Sequence, residues 1–122
     1  RWPKSAMALN AYGYTLADRT DRYREAEKLI RKALRYDPTS PAIIDSLGWV
    51  LFKLERYEEA LVELERAYAG MQDHEVAAHI VETLVALGRE DDAMEWLLKA
   101  EEKNPDSQLL QDVRDRLFTD DP

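Results

Sequence analysis

One spacing recurs three times along the chain and leaves few ways for it to fold. Ile44, Leu47, Gly48 and Leu51 are followed by Ala60, Leu64 and Ala67. Upstream, Leu9, Tyr12, Gly13 and Leu16 are followed by Ala26, Ile30, Ala33 and Pro38. Downstream, Ala77, Ile80, Val81 and Leu84 are followed by Ala93, Leu97, Ala100 and Pro105. The central copy shows what each unit is. Leu47, Val50, Leu51 and Leu54 recur at helical spacing over residues 42–54, and Ala60, Leu61, Leu64, Ala67 and Tyr68 do so over 57–69. Only Glu55 and Arg56 separate the two stretches, so the helices must turn back on one another. Neither can bury its stripe on the other alone, and the unit needs neighbours.

Each marked position has a packing task. Gly13 and Gly48 let two helix backbones approach, and Ala26, Ala60 and Ala93 do the same from the second helix. Tyr23 and Tyr57 precede two of those alanines and wedge the turn, while Pro38 and Pro105 end a second helix. The spacings, large-x2-large-small-x2-large and then small residues and a closing proline, are similar to those of the tetratricopeptide repeat family over about residues 6–107. That resemblance implies an all-α fold: three helix-turn-helix hairpins in a right-handed superhelical array. The units are expected at 6–40, 41–73 and 74–107, with a linker or tail at 1–5, Trp2 being free or folded onto repeat 1. The pattern also lapses. Repeat 1 has an extra residue in its inter-helix turn, and repeat 2 has Gln72 in place of a closing proline. Repeat 3 has Val81 at the small position and Ala77 at a large one, which predicts a different crossing of its two helices.

Taken in order, helices are expected over 5–17, from near Asp21 to 36, over 74–87 with Gly88 as breaker, and from Glu90 onward, where Glu90, Asp91 and Asp92 offset the helix dipole. A last helix over 107–118 places Leu110, Val113 and Leu117 on one face and Gln111, Arg114 and Asp115 on the other, the pattern of a terminal cap. Residues 119–122 are expected to fray. The chain opens at Arg1 in what reads as the middle of another element, which suggests a segment of a longer protein that finishes near this cap.

Composition excludes several classes of function. Four Gly and five Pro with 34% charged residues suit an all-helical domain. No apolar run approaches the roughly 20 residues of a membrane span, so no direct membrane insertion is expected. The absence of cysteine removes disulfides, thiol catalysis and thiolate metal sites. His74 and His79 point about 140° apart on a helix, the wrong spacing for a shared metal. No Gly-rich phosphate loop or GxSxG elbow occurs, and Ser46 has no sequence-readable base. No enzyme and no cofactor are expected. Charge is divided unevenly. Residues 1–40 hold nine Lys and Arg against five Asp and Glu, and residues 41–122 hold eight against twenty. A basic first repeat before acidic ones could steer a bipolar partner or favour self-association head to tail, unless it is only solvated surface. Nucleic-acid binding is not expected from an acidic chain without a basic patch interleaved with aromatics.

A binding surface remains. The family resemblance implies that the first helix of each hairpin lines a concave groove for extended or helical peptide segments. Carried over by position, that groove would hold Asn10, Tyr14 and Asp18 from repeat 1, Asp45, Trp49, Phe52 and Lys53 from repeat 2, and Ala78, Glu82 and Val85 from repeat 3. Trp49 and Phe52 stand three apart, off the Leu47–Leu51–Leu54 stripe, and such an aromatic pair needs a cover. The cover is either a docked peptide, anchored on Trp49 and selected as basic or hydrogen-bonding by Asp45 and Glu82, or other repeats of a longer superhelix. Family members that grip chaperone tails use a Lys/Arg/Asn carboxylate clamp. Here Asn10, Tyr14, Asp45, Trp49, Ala78 and Glu82 stand in those places, and only Asn10 is of that type. Chaperone tails are not expected to bind in that manner. The phrases NAYGYTLADRTDRYREA and SPAIIDSLGWVLFKLERYEEAL, within residues 8–65, also resemble the C-terminal repeats of proteobacterial envelope lipoproteins. This implies a periplasmic adaptor tethered to the outer membrane, joining partner proteins or a protease and its substrates.

Overall fold

The computed structural model describes residues 3–118. Seven helices follow one another: α1 Pro3–Arg19, α2 Tyr23–Tyr36, α3 Pro41–Lys53, α4 Tyr57–Gly70, α5 His74–Ala86, α6 Glu90–Lys103 and α7 Gln108–Leu117. There is no strand among the described residues. Helices α1 and α2, α3 and α4, and α5 and α6 pair as hairpins, and each hairpin stacks on the next as a solenoid. Helix α7 lies on α5 and α6. Helix α1 begins at Pro3, so residues 3–5 extend the first helix and are not a linker. Proline suits a first helical turn, where no N–H is needed. The expectations for Trp2 and for 119–122 lie outside the described residues.

The way each helix begins alternates along the chain. Helices α3, α5 and α7 open on a side-chain cap. Ser40 Oγ accepts from the Ile43 amide at 3.3 Å, an Asp73 carboxylate oxygen from Glu75 at 2.9 Å, and Ser107 Oγ from Leu110 at 3.1 Å. The second helices open after Arg22, Arg56 and Arg89, none of which caps with its side chain. Each arginine instead pairs with the acid three residues on, Glu25, Glu59 or Asp92. Asp21 therefore does not start α2 as expected. Helix α1 runs on to Arg19, and Thr20 Oγ1 takes up the Arg22 amide at 3.0 Å, which carries the start to Tyr23.

The turn between α3 and α4 matches that between α5 and α6. Glu55 and Gly88 both have positive φ, 64° and 78°. In both turns the next amide reaches back five residues, Arg56 to Leu51 and Arg89 to Leu84, each at 2.9 Å, closing the helix C-terminus. Close packing then follows from the small residues. A Cβ on Gly13 would stand 2.7 Å from Ile30 Cγ1, and one on Gly48 would stand 2.5 Å from Leu64 Cδ2. Val81 occupies the corresponding place in the third hairpin, and α5 and α6 share a smaller contact than the other two pairs. Two adjoining buried clusters form the core between first and second helices, one from Ala6 to Ala60 and one from Ile44 to Val113. Leu110 and Val113 of α7 close the second cluster, fully buried.

Candidate functional site

Because the second helices face away, α1, α3 and α5 share one side of the solenoid, and a groove of about 420 Å³ opens there. Tyr14 and Asp18 line it from α1, Trp49 and Lys53 from α3, and Ala78 and Glu82 from α5. Those six were expected. Four further residues come with them: Glu75 and His79 from α5, and Leu109 and Arg116 from α7. The capping helix thus forms one wall of the groove. Its contribution could not be read from repeat spacing, since α7 has no place in the repeat.

Trp49 forms the centre. Its ring stacks on Phe52 at 4.9 Å and on His79 at 4.1 Å, nearly parallel to both, and Lys53 Nζ lies 4.8 Å from its centroid. Trp49 is consequently 6% exposed. The cover that this aromatic pair needs comes in the structure from the chain itself: His79 of α5 lies over Trp49, and Phe52 turns to Tyr57 and the first core cluster. Asp45 is also buried, and its Oδ1 lies 2.9 Å from His79 Nδ1. It therefore reaches the groove only through His79. Val85 packs against the second core cluster, and Asn10 sits one turn before Tyr14 outside the lining. Two buried polar atoms on these helices, Asn10 Oδ1 and Trp49 Nε1, have no hydrogen-bond partner among the described residues. Each such group costs about 1–3 kcal/mol.

Two polar contacts span the groove. The Tyr14 hydroxyl donates to Glu75 Oε2 at 3.0 Å, joining the first repeat to the third. Burial, then the Glu75 carboxylate and more weakly those of Asp18 and Asp45, push the Tyr14 pKa far above its usual value. The hydroxyl thus remains a donor. At the other wall Arg116 donates to both oxygens of Glu82, at 3.2 and 2.9 Å, and this contact holds the guanidinium firmly protonated. Asp18, Glu75 and Glu82 face Lys53 and Arg116, so carboxylates outnumber cations in the lining. The two histidines have separate roles. His74 Nδ1 bonds Ser107 Oγ at 2.7 Å, tying α5 to the start of α7. Ser46 donates to the Ala42 carbonyl of its own helix.

Stacked helical hairpins with a concave, polar-lined face define a class of repeat proteins whose fold is consistent with binding other proteins. The chain belongs to the tetratricopeptide repeat family, whose profile matches residues 4–112. It is 52% identical over 82 residues to a TPR repeat-containing protein of Pseudomonas aeruginosa, a match covering 67% of this chain. The chain spans only 14% of that relative's length. Among solved structures, the first TPR domain of human RPAP3 superimposes with a TM-score of 0.83 at 18% identity, over 96% of this chain and 92% of that one. The first TPR of Spaghetti (RPAP3) bound to the HSP90 peptide SRMEEVD gives 0.78 at 18% identity, over 97% of each chain. TTC0263 of Thermus thermophilus gives 0.70 at 25% identity, over 93% of this chain and 58% of that one.

Proposed function

We propose that this chain is a non-catalytic docking module whose concave groove takes an extended, basic segment of a partner protein. The supporting observation is the lining itself. Asp18, Glu75 and Glu82 offer acceptors along a floor built on Trp49. The same charges disfavour an acidic tail such as SRMEEVD, although the fold is shared with a protein that binds it.

The test is fluorescence anisotropy with a nine-residue peptide of arginine alternating with serine, against a glutamate counterpart. The arginine peptide should bind and the glutamate peptide should not. An Asp18→Arg, Glu75→Arg double variant, both positions being exposed, should weaken binding about tenfold or more with its melting temperature nearly unchanged. Equal affinity for the two peptides would end this proposal.

One observation favours a second, compatible role as a segment of a longer superhelix. Leu47 and Ile80 are 3% and 0% exposed because the preceding hairpin covers them, whereas Tyr12, at the same register in repeat 1, is 51% exposed beside Leu9 and Tyr36. A further helical hairpin seated on that face would bury it. Tyr12→Glu should then leave the isolated module folded but weaken docking of the preceding repeats in a longer parent chain, as read by hydrogen exchange. In that setting the module would serve an adaptor of the bacterial envelope.

A further inference from the structure

The groove floor holds a polar pair that charge complementarity alone does not explain. Asp45 and His79 are 7% and 5% exposed, and Oδ1 of one lies 2.9 Å from Nδ1 of the other. Beside an ionised carboxylate, which only accepts, Nδ1 bears the hydrogen, and whenever the ring is neutral its lone pair lies on Nε2. Nε2 has no hydrogen-bond partner among the described residues, and His79 lines the groove. Stacking on Trp49 at 4.1 Å and 18° fixes the plane of the ring. An acceptor held by a buried carboxylate on one side and an indole on its face is pre-oriented, which is what selective recognition of a donor requires.

We propose that His79 is the specificity-determining acceptor of the groove: Nε2 takes a hydrogen bond from the guanidinium or ammonium of a basic residue in the bound segment, and protonation of the ring abolishes the contact. This rests on the docking role above and adds its selectivity and its control. The charged and titratable groups that share the groove with His79 are Tyr14 and Asp18 from α1, Asp45 and Lys53 from α3, Glu75 and Glu82 from α5 itself, and Arg116 from α7. The carboxylates attract a cationic side chain, and neutral Nε2 gives it a directed acceptor. A proton on Nε2 removes that lone pair and adds a third positive charge to those of Lys53 and Arg116. Asp45 is in place as counter-ion, so the ring can gain the proton without the pair coming apart. The switch is local.

The test uses the alternating arginine–serine peptide, with affinity followed by anisotropy from about pH 8 to about pH 5, the range in which an imidazole titrates. NMR of the imidazole ring protons, with His74 as the second signal, gives the protonation of His79 independently. Affinity should fall about tenfold in step with the His79 signals, the loss of one directed hydrogen bond. His79→Gln, which keeps an acceptor that does not titrate, should bind within a few-fold at the high-pH end and show a flat profile. Should that variant lose helicity, Asp45→Asn decides instead: without its counter-ion the transition must move to lower pH. A flat profile in the wild-type chain, or an unchanged profile in the deciding variant, overturns the role of His79 and leaves the docking function standing. No binding of the arginine peptide at any pH overturns both.

Discussion

At the scale of single residues, the two inter-helix turns offer the sharpest comparison. Glu55 holds a φ of 64° at the place where Gly88 holds 78°. For a residue with a Cβ the left-handed region costs about 1 kcal/mol relative to glycine. Glu55→Gly should therefore stabilise the chain by about 0.5–1 kcal/mol, and Gly88→Ala should destabilise it by about 1 kcal/mol. Urea midpoints at constant m-value check both. Gly48 makes a different demand. Its missing Cβ would press into the Leu64 side chain at 2.5 Å and stand 3.3 Å from the Leu64 backbone nitrogen. Gly48→Ala should cost about 1–3 kcal/mol, because buried Leu64 has little room to yield.

At the scale of elements, α7 joins stability to the site. Arg114 donates to both oxygens of Glu101, at 2.8 and 2.6 Å, and so pins α7 to α6. This bond to Arg114 holds the Glu101 carboxyl below its usual pKa, against the upward pull of its partial burial. The sign follows. The stabilisation is fully present above the ordinary glutamate value near about 4.3 and is lost as pH falls through the lower folded value. Amide exchange in α7 should accelerate on acidification over that window in the wild-type chain and lose that dependence in Glu101→Gln. Because both side chains are partly open to solvent, the pair contributes about 1 kcal/mol at most. The Ser107 cap adds a comparable amount, so Ser107→Ala should also loosen α7, and through Arg116 it should perturb the groove wall. A change in melting temperature without any change in peptide affinity would separate cap from wall.

At the scale of the whole molecule, the charge division becomes a prediction about association. Residues 41–122 carry most of the carboxylates, and two of these, Glu75 and Glu82, join Asp18 in the groove lining. Binding of the arginine peptide should weaken steadily as salt rises through the range where the Debye length falls below about 10 Å, and the on-rate should drop more than the off-rate rises. Stopped-flow mixing at two ionic strengths checks this.

Hairpins, their order and the helix faces were legible in the sequence because each depends on local spacing. Gly13, Gly48, Ala26, Ala60 and Ala93 lie where two helices must touch, and a 3.6-residue period puts them there whatever surrounds the chain. Six of the ten expected site residues also reach the groove, since position in a repeat determines which way a side chain points. What a neighbour does to that side chain is not local. Trp49 was marked as an anchor by its place on α3, yet His79, thirty residues on, covers its ring, and Asp45 faces that imidazole rather than a ligand. The same holds for Glu75 meeting Tyr14 across two repeats, and for Leu109 and Arg116 entering from a helix outside the repeat. Periodicity determined the scaffold and the direction of its side chains. Only the stacking of hairpins, which brings residues distant in the chain within hydrogen-bond reach, decided which of them the protein satisfies internally and which it leaves for a partner.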